Sequence, residues 1–296
     1  MSPRLRGDAL RFIGDYWALT KPEVNFLILI TTLAGFYSAS HAGPDGLRIF
    51  PIVSTLLGTL LVASGAGTLN QYIERAFDAQ MRRTARRPLA SGRIESLHAL
   101  WFGILLSLAG TAYLALAVNV LASLLALVTL LTYLFLYTPL KRKTPLCTLI
   151  GAFPGAVPPL IGWAAARGRL DSAAWVLYAV VFLWQFPHFM AIAWMYREDY
   201  ARAGYLVLPL DKRSDRFVIW QSLAVSLALI PITLIPAITG ESSHIYCVGA
   251  FLLGSIFSYY SARFAFRRSS LAARKLLVAS ILYLPAVFLL LMLNKK

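Results

Sequence analysis

The stretch GAGTLNQYIERAFDAQMRRTARRPLASGR, residues 65–93, follows directly on an apolar run, and its reading decides the fold. It sets Asn70, the carboxylates Glu74 and Asp78, and six arginines at the end of a hydrophobic segment. Polar residues take over from apolar ones in this way where a helix leaves lipid for water. Of the 296 residues, 58% are hydrophobic and 14% charged, far from the balance of a soluble domain. A span needs about 20 apolar residues to cross the hydrocarbon core. Backbone groups in lipid must pair internally, and these runs lack the alternation of a barrel, so the spans are helices.

Nine spans are expected, at about 24–40, 51–72, 97–117, 119–138, 147–166, 173–195, 217–238, 245–262 and 276–293. The fold class is therefore all-α, a polytopic membrane protein built as one membrane-embedded domain over 1–296. Residues 1–23, MSPRLRGDALRFIGDYWALTKPE, read as a charged cytoplasmic tail. The tail has no early apolar h-region and no small-residue cleavage site, so it does not read as a signal peptide.

The formal net charge of +15 raises the question of nucleic acid, and the distribution of charge answers it. With the N-terminus cytoplasmic, 23 of the 28 Lys and Arg residues fall in the inner segments. The other five are Arg48, Arg167, Arg169, Lys295 and Lys296. This is the positive-inside pattern of an inner-membrane protein, not a nucleic-acid face. Cys147 and Cys247 lie near opposite bilayer faces in this topology and read as packing residues rather than a disulfide.

The inner loops are the long, polar ones, so chemistry is expected at that face. Asn70, Glu74 and Asp78 are spaced i, i+4, i+8 and share one helix face over about 12 Å. Three oxygen donors at a membrane edge suit a hard cation such as Mg²⁺, which takes few carboxylates and shares substrate phosphates. Arg82 extends the stripe, and Arg83, Arg86 and Arg87 suit forked contacts with phosphate oxygens. Acids with arginines describe a metal-bridged diphosphate site. The alternative for the spacing alone is an amphipathic helix end with local salt bridges.

A second cluster lies in WQFPHFMAIAWMYREDYARAG, residues 184–204, where Glu198 and Asp199 lie just past the sixth span, flanked by Arg197 and Arg202. Two acidic clusters from different helices can hold metal on one diphosphate. The alternative is a solvated loop. His188 follows Pro187, which is expected to kink the helix. Its ring can ligate haem iron, orient an acceptor or hydrogen-bond a neighbouring helix. A third cluster, YTPLKRKTPLCTLIGAFPGAVPPLIG (137–162), has Lys141, Arg142 and Lys143 before a Gly/Pro run that predicts a broken fifth helix lining a cavity.

These motifs, in this order, resemble the UbiA superfamily of intramembrane prenyltransferases and within it a haem-directed branch. The resemblance runs through NQYIERAFDAQMRRTARRPLASGR, YTPLKRKTP, IGAFPGAVPPLIGW, WQFPHFMAIAWMYREDYARAG and ARKLLVASILYLP, almost the whole chain. It implies a bundle around a central cavity open to the inner face. It implies Asn70, Glu74, Asp78 and Asp199 as catalytic residues that hold Mg²⁺, with Glu198 beside them. Arg82, Arg83, Lys141, Arg142 and Arg197 are implied to grip the diphosphate, and His188 is the haem-binding candidate. The implied substrates are farnesyl diphosphate and haem B. The implied setting is the cell inner membrane, beside haem A synthase or terminal oxidase assembly proteins.

Two departures stand out. Glu74 replaces the Asp of the general pattern, and Ile192 and Tyr196 stand where quinone-directed relatives carry a pair of aspartates. Ala76 also replaces an expected acid. The alternatives are prenyl transfer to an aromatic quinone precursor, transport of an anionic lipid or metabolite, and haem binding without catalysis. Tyr72, Tyr137, Trp184 and Trp194 are candidate aromatics for an allylic cation.

Overall fold

The computed structural model describes residues 3–40, 49–207 and 212–296. Eight segments among them are long and apolar enough to cross a membrane. They comprise α3 (Ile49–Asp78), α4 (Ser96–Ala117), α5 and its extension (Val120–Leu140), the pair α7 (Cys147–Gly155) and α8 (Pro158–Arg167), α9 (Ser172–Met195), α11 (Lys212–Ile238), α12 (His244–Arg267) and α13 (Ser270–Leu293). A ninth helix, α2 (Pro22–Ala39), packs among α3, α8 and α13. Eight of the nine expected spans are thus present with ends shifted by a few residues, and the first, expected at 24–40, is the helix α2, which is not among the segments long and apolar enough to cross. The leading segment, read as a tail, is helical as α1 (Pro3–Leu19). Tyr16 and Leu19 dock it against Tyr72, Leu89, Ala99 and Phe102.

Two of the connections are short turns closed by side-chain caps. Asn119 Oδ1 accepts from the Ala122 amide at 2.9 Å, which starts α5 at once after α4. Ser269 Oγ does the same for α13, accepting from Ala272 at 3.2 Å. Apolar side chains face two ways. Leu160, Trp163, Leu229, Phe257, Leu276 and Phe288 fill the interior. Leu105, Leu116, Phe135, Leu282 and others point outward, as a helix in lipid requires.

The Gly/Pro run breaks the fifth span where expected. α7 ends at Gly155 and α8 restarts at Pro158. One physical reason is close approach: a methyl at Gly162 would collide with the Thr32 carbonyl oxygen of α2. α9 stays helical through Pro187. Between Thr132 and Tyr137 the fourth span widens into a π-helical segment before the short α6 (Thr138–Leu140). That widening brings Thr138 beside α3. Cys147 and Cys247 are both free and sit at helix starts on opposite ends of the bundle.

Candidate active site

α3 continues past the apolar run and ends at Asp78, so Asn70, Glu74 and Asp78 share one face of a single helix. All three are buried, at 1%, 6% and 2% exposure, which rules out the solvated helix end. Each is met by its own cation. Lys21 Nζ donates to Asn70 Oδ1 at 2.7 Å. Lys141 Nζ donates to both Glu74 oxygens, at 2.8 and 3.0 Å. Arg87 donates to Asp78 Oδ2 at 2.8 Å. The Asn70 amide nitrogen spends its two protons on Glu74 Oε2 (3.0 Å) and Thr138 Oγ1 (3.1 Å). Its side chain is therefore fixed from three directions.

The second acidic region joins the first. α9 passes into α10 (Arg197–Arg202), where Asp199 is buried. Asp199 Oδ2 accepts from the backbone N–H of Arg83 at 3.1 Å, and Arg202 lies 3.3 Å from Oδ1. The turn that follows α3 is thus clasped by α10. Met81, Ala203 and Tyr205 pack beneath the clasp. Beside it lies a cavity of about 440 Å³, lined among others by Ile73, Glu74, Phe77, Arg142 and Tyr205.

The loop cations respond to this setting. Burial works against the Lys141 charge, but the Glu74 carboxylate prevails and holds its pKa above the ordinary value. Lys21 has the opposite balance. Burial first, then the charges of Arg87 and Lys141, bring its pKa down to about 7. Burial, then Glu74, raises the Tyr205 phenol. That hydroxyl approaches Glu74 without reaching hydrogen-bond geometry.

Other expected residues lie outside this cluster. The helix ends at Asp78, so Arg82 does not prolong the ridge and is exposed in the following turn. Glu198 is exposed next to its buried neighbour Asp199. Arg197 stacks on Trp194, 5.0 Å from the ring centroid. Arg142 lies 4.2 Å over the Phe77 ring at the cavity edge, and Arg83 lies over Tyr196. Among the aromatics, Tyr137 is at the site, 4.7 Å beneath Lys141 Nζ, whereas Tyr72 packs with α1. Lys21, Thr138 and Tyr205 join the site without having been singled out in the sequence.

His188 is set apart from the ridge. Its Nδ1 lies 2.8 Å from Ser280 Oγ, and Ser280 Oγ donates to the Leu277 carbonyl at 2.6 Å. Both contacts are satisfied together only if Nδ1 carries the proton, which leaves the Nε2 lone pair unprotonated. Trp184 stacks on the ring at 4.7 Å and donates its indole N–H to the Ser280 carbonyl. A ring held this way is oriented as metal-ligating histidines are.

Among the described residues, no three His, Cys, Asp or Glu side chains gather into a protein-only metal cage. The donor set Asn70, Glu74, Asp78 and Asp199 consists of hard oxygens ringed by cations. It fits a hard ion that shares its coordination with phosphate and water, as Mg²⁺ does.

Fold and site together define a multi-pass membrane enzyme with an oxygen-donor ridge under basic loops at one end of its bundle. The chain belongs to the UbiA prenyltransferase family, whose profile matches residues 28–292. It is 47% identical over 287 residues to the protoheme IX farnesyltransferase of Solibacter usitatus (strain Ellin6076), covering 95% of this chain and 98% of that protein. The protoheme IX farnesyltransferase of Koribacter versatilis (strain Ellin345) is 42% identical, covering 96% of this chain and 94% of that one. Among solved structures, a digeranylgeranylglyceryl phosphate synthase superposes with a TM-score of 0.77 at 17% identity, over 95% of this chain and 98% of its own. A UbiA homolog from Archaeoglobus fulgidus bound to GPP and Mg²⁺ superposes with a TM-score of 0.66 at 16% identity, over 94% and 99%.

Proposed function

We propose that the chain transfers the farnesyl group of farnesyl diphosphate to a vinyl group of protohaem IX (haem B), with addition of water, giving haem O for terminal oxidase assembly. The observation that carries the site assignment is the buried Asn70–Glu74–Asp78 ridge, matched donor by donor with Lys21, Lys141 and Arg87 beside a cavity. The names of the relatives support haem as acceptor over an aromatic quinone precursor, and an enzyme over a transporter or haem-holding factor.

Asn70, Glu74, Asp78 and Asp199 are the residues that would hold Mg²⁺, with Glu198 at the solvent edge of the same cluster. When bound, the ion neutralises charge on the departing diphosphate. Lys21, Lys141 and Arg87 are already at the ridge, and a diphosphate there offers them acceptors in place of carboxylates. Arg82, Arg83, Arg142 and Arg197 would meet the same anion from exposed positions. As the C1–O bond breaks, these fixed cations stabilise the leaving oxygens. Tyr137 presents a ring at the ridge to the allylic cation. The terminal vinyl carbon of haem bonds to C1. Water then takes the cationic carbon beside the ring and loses a proton, leaving a hydroxyethylfarnesyl substituent. Ile73 and Phe77 give the cavity apolar wall that keeps water from the first cation. His188 Nε2 is the proposed ligand to haem iron, fixed by Ser280 and Trp184.

The basic loops support a cytoplasmic setting at the inner membrane for this end of the bundle and for the N-terminus. The test is conversion in lipid nanodiscs with Mg²⁺ and farnesyl diphosphate, with haem B or 4-hydroxybenzoate as acceptor. Haem O with stoichiometric pyrophosphate is expected. Product from the aromatic acid alone overturns the acceptor. Unchanged turnover by Asp78→Asn overturns the site.

A further inference from the structure

The end of the bundle opposite the ridge holds a cavity of about 610 Å³. The charge pattern of the chain leaves five basic residues on that side. Four of them, Arg167, Arg169, Lys295 and Lys296, line this one cavity. Basic residues on the translocated side run against the positive-inside bias, so their convergence calls for a local cause.

Part of the cause is structural. Arg167 Nε donates to the Ala39 carbonyl at 2.8 Å, and Lys295 Nζ donates to the carbonyls of Tyr37 and Ser40. Both therefore cap the carbonyl end of α2, where cations are favourable. That account does not reach Arg169, which is 75% exposed, or Lys296. The acids on the wall are fewer. Arg167 and Arg169 share the single carboxylate of Asp171, at 2.8 and 3.0 Å, and Glu241 is the other acid among the described residues of the wall. Burial first, then the charge of Arg167, lowers the Lys295 pKa. The buried indole N–H of Trp163, also on the wall, approaches Asp171 without reaching hydrogen-bond geometry. It is a donor in want of an acceptor.

The cations are held in place. The turn between α11 and α12 pairs with residues 294–296: Ser243 N–H donates to Asn294 O at 3.0 Å, and Lys296 N–H to Glu241 O at 3.0 Å. Leu177, Pro236 and Leu291 complete an apolar wall. A cavity with a cationic rim and an apolar wall at a membrane face suits an amphiphile with an anionic head.

We propose that this cavity binds a phosphate anion, supplied by the headgroup of an anionic phospholipid in the leaflet opposite the active site. The full chain, purified in detergent, is melted with added phosphatidylglycerol, phosphatidylcholine or inorganic phosphate. Phosphatidylglycerol is expected to raise the melting temperature by several degrees and phosphatidylcholine not at all. Arg169→Gln/Lys296→Gln should lose more than half of that shift while melting normally without lipid and retaining farnesyl transfer. Glu241→Gln, which removes a wall acid, should enlarge the shift and guards against misfolding of the double variant. An equal shift with inorganic phosphate supports the phosphate site and makes the free anion its source. Equal shifts with both lipids, or a double variant that keeps the full shift, overturn the proposal.

Discussion

Glu74 and Lys141 are both nearly enclosed, with side chains 7% and 14% exposed. Removing one partner of such a pair leaves an uncompensated charge and costs about 3–5 kcal/mol, whereas replacing both with well-packed neutral groups can cost little. Glu74→Gln is therefore expected to lower the melting temperature clearly, and Glu74→Gln/Lys141→Met to recover much of it. On the proposed mechanism neither variant should retain turnover. Thermal melts alongside a haem O assay separate the two effects. Asp78→Asn keeps shape and removes charge, and a loss of about 100-fold or more in kcat is expected if its charge acts in the transition state. His188 calls for a different readout. His188→Ala should abolish the Soret shift on haem addition while farnesyl diphosphate binding stays unchanged. A full Soret shift would remove it as ligand. The ridge itself was legible because its period matches a helix turn. Lys21 was not, because its partner Asn70 lies 49 residues away and nothing local marks the contact. Tyr205 was missed for the same reason.

At the scale of elements, local chemistry announced positions better than consequences. The Gly/Pro run at 151–162 predicted a break, and one is present between α7 and α8. The expected reason was room for a cavity; the structure adds crossing of backbones, since Gly162 admits the Thr32 carbonyl of α2. Around Pro187, α9 stays helical and is tied to its neighbour, with Gln185 donating to Ala152 O of α7 at 3.1 Å. Arg82 continued a period that the chain abandons at Asp78. These outcomes depend on neighbours that one helix's sequence does not name. The crossing gives a sharp prediction. Gly162→Ala must push α2 and α8 apart, and overpacking of this kind costs about 1–3 kcal/mol. Its melting temperature should fall by several degrees. Gly14→Ala, where a methyl meets nothing within 4 Å, is the control and should not fall.

For the whole molecule, the division of charge and the division of cavities coincide. The 440 Å³ cavity sits beneath loops that hold most of the basic residues, and the 610 Å³ cavity at the other end shares no lining residue with it. A transporter needs one path open in turn to both faces; two separate cavities suit an enzyme that works from one side. The fold class was legible because it depends on sums over many residues, which single errors do not disturb. The assignment of that side as cytoplasmic rests on the same sum, 23 basic residues against five, and can be tested directly. With Cys147→Ala and Cys247→Ser as background, Glu198→Cys places a thiol at an exposed position beside Asp199. Arg169→Cys places one at the opposite end. In intact cells a membrane-impermeant maleimide should label the second and spare the first, and in inverted inner-membrane vesicles the pattern should reverse. Labelling of Glu198→Cys from outside would turn the molecule over. The diphosphate site would then face away from the compartment assigned to it, and the route by which soluble farnesyl diphosphate reaches the ridge would have to be argued again.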